Sequence, residues 1–431
     1  MNLLLAFIAF NLIIIIHESG HFIAAKLAGI KVIEFSLFVG PKLFSIKKGE
    51  TEYSLRLFPI LAYVKMEGEE EQSDSERAFN KKPLLSRAAV IAAGPLANLF
   101  IAVIVLAIVF GITGYATTNL NYVEKDSPAY NASIEKGDKI IKYDGKRIYQ
   151  PMDVIQFLYV YKGKPAKVEV MRDGKIFKTQ INPVKIPEQE RYLFGFSLQQ
   201  ISGGFSNVVN TVAPDTPAEI SGLKPGDKVI KLNSTPVSNK KDIDDFMSNN
   251  KGEPVKVTVL RNDTEMVFDI TPYIQKIPEQ YYLGIEYELK KGNIFEVIGH
   301  SLSYAYSTVR NVAYSLIWLM TGKVSFNQLT GPIGIVSTIG DVVEQGTTLA
   351  NKILYLLNFA AFISMAIGAT NLIPFPALDG NKLLLLVIEA VRKKPIPPEK
   401  EAFISGIGII ILIILAIFTF YNDTLRLIRG G

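Results

Sequence analysis

His17, Glu18 and His21 stand in the order His-Glu-Ser-Gly-His. On a helix this spacing puts both imidazoles on one face, where two ring nitrogens can reach one metal ion. Glu18 lies beside them, placed to take a proton from water activated by that ion. These are two of only three histidines in 431 residues, and the chain has no cysteine. A thiolate metal site, a disulfide framework and a cysteine nucleophile are thereby excluded, so a metal must be held by nitrogen and oxygen. His300 opens the amphipathic stretch His300-Ser-Leu-Ser-Tyr-Ala-Tyr-Ser and reads as an interfacial residue rather than a ligand. A catalytic zinc site takes three protein ligands and leaves one position open. Asp379, in Asn371-Leu-Ile-Pro-Phe-Pro-Ala-Leu-Asp-Gly, can supply the third.

These residues must be positioned by a membrane. The chain is 48% hydrophobic, and four stretches are long enough to span a hydrocarbon core: Leu3 to Leu27, Ala88 to Tyr115, Ile353 to Leu372 and Phe403 to Tyr421. The His pair sits in the first. An ionisable group at the centre of a membrane helix costs about 2.5–3.5 kcal/mol even on lenient scales, so it has a function or a partner there. The competing reading, a hydrogen bond between helices, suits a lone histidine better than this triplet. Lys and Arg crowd the loops between spans one and two and between spans three and four (Arg392, Lys393, Lys394, Lys400), which makes both loops cytoplasmic. Span one and span three then both run inward and bring His17, His21 and Asp379 to the same depth. Pro374 and Pro376 break the helix just before Asp379, which membrane protein tolerates only in a buried or wet setting. Met1 to Ala25 lacks the preceding Lys or Arg of a cleaved signal, and a discarded leader has no use for this triplet. The modest net charge of +5, with no basic block interleaved with aromatics, excludes a nucleic-acid groove.

Residues 116 to 290 lose the apolar runs and alternate β-type stretches with Gly, Pro and Asp turns. They repeat themselves. Asp126-Ser-Pro-Ala and Lys136-Gly-Asp-Lys-Ile-Ile return as Asp215-Thr-Pro-Ala and Pro225-Gly-Asp-Lys-Val-Ile at a constant offset of 89. Two copies of one small domain are expected. The pattern resembles PDZ domains of bacterial envelope proteases, whose fold adds an extended peptide to a sheet edge. The first copy has Ser133 where the second has Gly222, and neither shows an evident Gly-rich carboxylate-binding loop. A role as spacers limiting access to the membrane domain competes with peptide binding.

The ensemble resembles the site-2 protease family of intramembrane zinc metalloproteases, in its regulator-of-sigma-E branch. The motifs that carry the resemblance are His17 to His21, Tyr63-Val-Lys-Met, Gly94-Pro-Leu-Ala-Asn98, the tandem repeat, Gly331-Pro-Ile-Gly334 and Asn371 to Gly380, in the family's order. The resemblance implies zinc held by His17, His21 and Asp379, with Glu18 as general base. It further implies that Asn371, Pro374 and Asn98 hold or unwind a substrate helix. The implied fold class is a multi-pass α-helical membrane protein with four transmembrane helices, a membrane-associated β element around Glu52 to Met66, and two inserted PDZ-like β-rich domains. The division expected is 1–115 and 351–431 for the membrane domain, 116–198 and 199–290 for the PDZ-like copies, and 291–350 for an amphipathic interfacial segment. Leu61-Ala62 replaces the Gly-Gly usual in the β element.

The activity implied is regulated cleavage, in the envelope stress response, of single-span membrane proteins already trimmed outside the membrane. Anti-sigma factors are the expected type, with remnant signal peptides as further substrates. The expected partners are those substrates, a trimmed terminus or peptide at the PDZ-like copies, and the lipid bilayer. The location expected is a bacterial inner membrane, with the active site towards the cytoplasm and the repeats outside. Two other functions fit parts of the chain. A membrane adaptor would have no need of Glu18, and a zinc hydrolase of non-peptide substrates would leave the tandem peptide-binding module unexplained.

Overall fold

The computed structural model describes residues 2–69, 71–201, 204–213, 215–277, 279–344 and 348–428. Among them, four helices are long and apolar enough to cross a membrane: Phe7–Leu27, Leu84–Thr113, Leu349–Asn371 and Pro398–Leu425. Phe100, Ile104, Ile108 and Ile112 form an exposed apolar stripe along the second, a surface suited to lipid rather than water. The first two helices approach closely because small residues meet. A Cβ on Gly20 would lie 2.4 Å from the Ala93 carbonyl oxygen and 2.8 Å from the Ala97 Cβ. The third helix ends at Asn371. Pro374 and Pro376 withhold two backbone donors, the chain turns through Ala377 at φ 75°, and a new helix starts at Asp379 and runs to Arg392.

Between the first two helices the chain forms an antiparallel sheet from Val32–Lys48 and Thr51–Met66. Residues 32–37 pair on one side with 52–55 and on the other with 62–66, while 42–48 pair with 51–56. The two long strands thus bend into four segments, with 62–66 at one edge. Glu52 to Met66 was legible as strand; Val32–Lys48, interrupted by Gly40-Pro41, was not. Leu61 takes φ 65°, a left-handed conformation that glycine adopts without strain and leucine does not.

The repeats give two six-stranded antiparallel sheets of identical order. In the first, the order is Ile285–Lys290, Tyr115–Val123, Lys139–Tyr143, Ala166–Arg172, Lys175–Ile181, with Lys146–Arg147 beside the third strand. In the second it is Phe196–Ile201, Gly204–Val212, Lys228–Leu232, Val255–Arg261, Thr264–Ile270, with Thr235–Pro236 in the matching place. The first strand of the first sheet comes from beyond the second repeat. One compact unit holds Met1–Pro183 with Leu283–Thr424, and the other is built on Val184–Tyr282. Local alternation could not reveal this, because the edge strand pairs with a partner more than a hundred residues earlier.

Candidate metal centre

The first helix carries His17 and His21 one turn apart, and both rings are buried against the second helix. His21 Nδ1 donates to the Val90 carbonyl oxygen at 2.8 Å, which leaves the Nε2 lone pair free. The ring occupies space that only glycine provides: a Cβ on Gly94 would lie 2.3 Å from His21 Nε2. His17 Nε2 approaches His21 Nε2 to 3.2 Å. Asp379 Oδ2 lies 3.0 Å from His17 Nε2 and 3.5 Å from His21 Nε2. Ligand atoms of these three residues all lie within 4.8 Å of one another. Two ring nitrogens and one carboxylate oxygen gathered this closely form a donor set that would fit zinc.

Glu18 lines the same cavity of about 620 Å³, together with Tyr63, Val64, Lys65 and Met66 of the sheet's edge segment. Arg56 crosses the sheet to Glu34 at 2.8 Å and to the Gly40 carbonyl oxygen at 2.7 Å, and Ser54 also donates to Glu34. This network braces the edge segment from behind. Burial pushes the Glu34 carboxyl up, but donors from Ser54 and Arg56 outweigh it and hold the group below its usual range.

Of the residues expected at the substrate, Asn98 is fully buried and does not reach the cavity. Its amide Nδ2 lies 3.5 Å from His17 Nδ1, while its own Oδ1 is buried without a partner. Turning the amide over lets Oδ1 accept the His17 Nδ1 proton, satisfying both groups and freeing His17 Nε2 for a metal. In this position the Asn98 amide can orient the His17 ring. Asn371 ends the third helix and Pro374 is exposed in the loop beyond it; neither lines the cavity that holds Glu18. His300 stacks on Tyr115 at 4.1 Å and meets Phe110 edge-on, in a cluster outside the metal centre. Sequence reasoning missed Val90, Gly94, Glu69 and Lys382. Only the Gly94 to Asn98 motif carried a signal for any of them.

A histidine pair and a carboxylate converging within a helical membrane bundle, with an acid beside them, define a metallohydrolase centre. The chain belongs to peptidase family M50, whose profile matches residues 5–415, and it is a zinc metalloprotease of the site-2 type. The regulator of sigma E protease of Haemophilus influenzae is 31% identical over 447 residues, covering 97% of this chain and 98% of that one. The zinc metalloprotease RasP of Shouchella clausii is 29% identical over 450 residues, covering 99% and 100%. The regulator of sigma-W protease RasP of Bacillus subtilis is 28% identical over 444 residues, covering 99% of each. Among solved structures, the HtrA3 PDZ domain bound to a phage-derived ligand is 21% identical, covering 21% of this chain and 91% of that one, with a TM-score of 0.18. The four apolar helices and these bacterial relatives fit an inner-membrane protein.

Proposed function

We propose that this protein hydrolyses a peptide bond of single-span membrane proteins at membrane depth, using His17, His21 and Asp379 as metal ligands and Glu18 as general base. The observation that carries the reading is the convergence of the three donor groups on one point beside Glu18 in a polar cavity. A zinc ion held there supplies Lewis acidity toward the scissile carbonyl and toward water. Glu18 takes the water proton and passes it to the leaving nitrogen, so no covalent enzyme intermediate is needed. Residues 62–66 offer an edge with no further strand paired to it among the described residues. A substrate opened from its helix adds to that edge, which presents its peptide bonds to the cavity as an extended chain.

The charged loops favour a catalytic centre towards the cytoplasm and repeats on the outer side. Substrates of the anti-sigma type, trimmed beforehand, suit this arrangement, since two relatives are named for sigma-factor regulation. Both repeats are taken as PDZ-like. The second offers a groove of about 870 Å³ lined by Phe194, Phe196, Ile243 and Met247, where an apolar peptide terminus fits. Asn371 and Pro374 are proposed to meet the substrate where the third helix breaks.

The test is cleavage of a trimmed single-span reporter by purified wild-type protein and Glu18→Gln in detergent, with zinc measured in both. A loss of roughly 10³-fold or more with zinc retained is expected. Equal cleavage by the two proteins overturns the assignment of Glu18.

A further inference from the structure

Hydrolysis breaks the C–N bond, places the water oxygen on the carbonyl carbon and leaves a carboxylate. In this site that new carboxylate appears beside Glu18 and the metal ligands, and a cation of the chain itself can receive it as it leaves. Three cations line the cavity: Arg56, Lys65 and Lys382. Arg56 is committed to Glu34, the Gly40 carbonyl oxygen and Ser36. Lys65 is exposed. Lys382 follows Asp379 by three residues on the same helix and so shares its face.

The Lys382 ammonium lies 2.7 Å from Glu69 Oε1. Burial works against that ammonium, but Glu69 and Asp379 outweigh it and hold the group protonated well beyond its ordinary range. Glu69 belongs to the loop that follows Thr51–Met66, outside any helix or strand. A second cavity, of about 290 Å³, shares Glu69, Ile91 and Lys382 with the first and reaches Pro395 and Pro398 at the start of the fourth apolar helix. The ion pair therefore stands where the two cavities meet.

Resting on the peptidase reading above, we propose that Lys382 is the carboxylate acceptor of this site: its ammonium exchanges Glu69 for the new C-terminal carboxylate. The ammonium keeps its proton throughout. It has three donors and needs no partner of fixed geometry, and Glu69 on its loop turns to water as the exchange occurs.

The test uses the zinc-loaded full-length enzyme and the amino-terminal fragment of its own cleaved reporter, as free acid and as C-terminal amide, each assayed as an inhibitor. In the wild type the acid inhibits about tenfold better than the amide, the scale of one charge-assisted hydrogen bond. Lys382→Met lowers that preference at least about threefold with zinc content unchanged, and Lys382→Arg restores it. A preference unchanged in Lys382→Met overturns the proposal. If Lys382→Met does not fold, Glu69→Gln carries the test: freeing Lys382 raises the preference, and an unchanged preference overturns the proposal. Absence of cleavage by the wild type overturns the peptidase reading itself, an outcome distinct from any change of preference in an active enzyme.

Discussion

The two repeats share a sheet order and an internal brace, yet only one of them is built into the membrane unit. In the first, Asp138 accepts from Arg172 at 2.7 Å, and Arg172 also donates to the Ser133 carbonyl oxygen; in the second, Asp227 accepts from Arg261 at 2.6 Å, and Arg261 donates to the Gly222 carbonyl oxygen. The difference lies on the helices Pro151–Val160 and Lys240–Asn250. Asp153 is fully buried, caps its own helix through the Tyr149 and Gln150 amides, and accepts from Ser307, Asn311 and Arg310 of the helix Ile294–Met320. Among the described residues, its counterpart Asp242 makes only local bonds, to Ser238 and Asn239. One duplicated carboxylate has thus become an anchor while the other remains a cap. A domain can be recruited to a scaffold by new partners at a conserved position, without any change to its own fold.

The largest test of that contrast removes the carboxylates. Asp153→Ala takes the shared carboxylate from Ser307, Arg310 and Asn311 at once and is expected to cost about 3–5 kcal/mol, opening residues 115–183 to exchange. Asp242→Ala is expected to cost only about 1 kcal/mol, the scale of a helix cap. Hydrogen exchange of the intact protein, read separately on the two repeats, distinguishes them; equal effects would break the comparison.

Acid gives a second contrast. Burial lowers the pKa of His300, in the first unit, to about 4, whereas residues 184–282 of the second contain no histidine. The unfolded chain therefore takes up the proton first, so this contribution to stability is full above about pH 6.5 and is lost as pH falls from there to about 4. His300→Phe is expected to flatten that part of the melting profile of the first unit and leave the second unchanged. In the second repeat, burial raises Asp227 but Arg261 more than offsets it, so its folded pKa is depressed. That contribution is present above pH 3.8 and is lost below it, a window reached only after His300 has titrated.

The smallest effects concern the backbone. Ser133 holds φ 59° where Gly222 holds 93°. Ser133→Gly is expected to stabilise the first repeat by roughly 0.5–1 kcal/mol, whereas Gly222→Ala destabilises the second by about 1 kcal/mol or more, both read as shifts in denaturant midpoint. Leu61→Gly is expected to act like Ser133→Gly on the β element if its strain is local.

The residues that gather at the candidate centre were legible in the sequence because they sit in short, recognisable motifs. His17, Glu18 and His21 lie within about one helical turn, and Asp379 follows a proline-broken segment at the end of an apolar helix. The four spans were legible from hydropathy, and the repeat from its offset. What escaped depends on contacts between distant segments. The pairing of Val32–Lys48 with Thr51–Met66, the bond from Asn98 to His17 and the pair between Glu69 and Lys382 leave no periodic trace.

The sequence by itself determined the chemistry on offer: nitrogen and oxygen donors with a carboxylate beside them, four apolar helices and a duplicated β domain. Residue type and helical spacing are local properties, and hydropathy sums over a single segment. Only the tertiary structure decided how these were used. It aimed His21 through the Val90 carbonyl, gave the first sheet a strand from beyond the second repeat, made Asp153 an anchor and Asp242 a cap, and set Asp423 against the amides of Gly331 and Gly334. Each of these choices satisfies a buried polar group or sheet edge with a partner far along the chain, and such a partner is selected by packing rather than by sequence pattern.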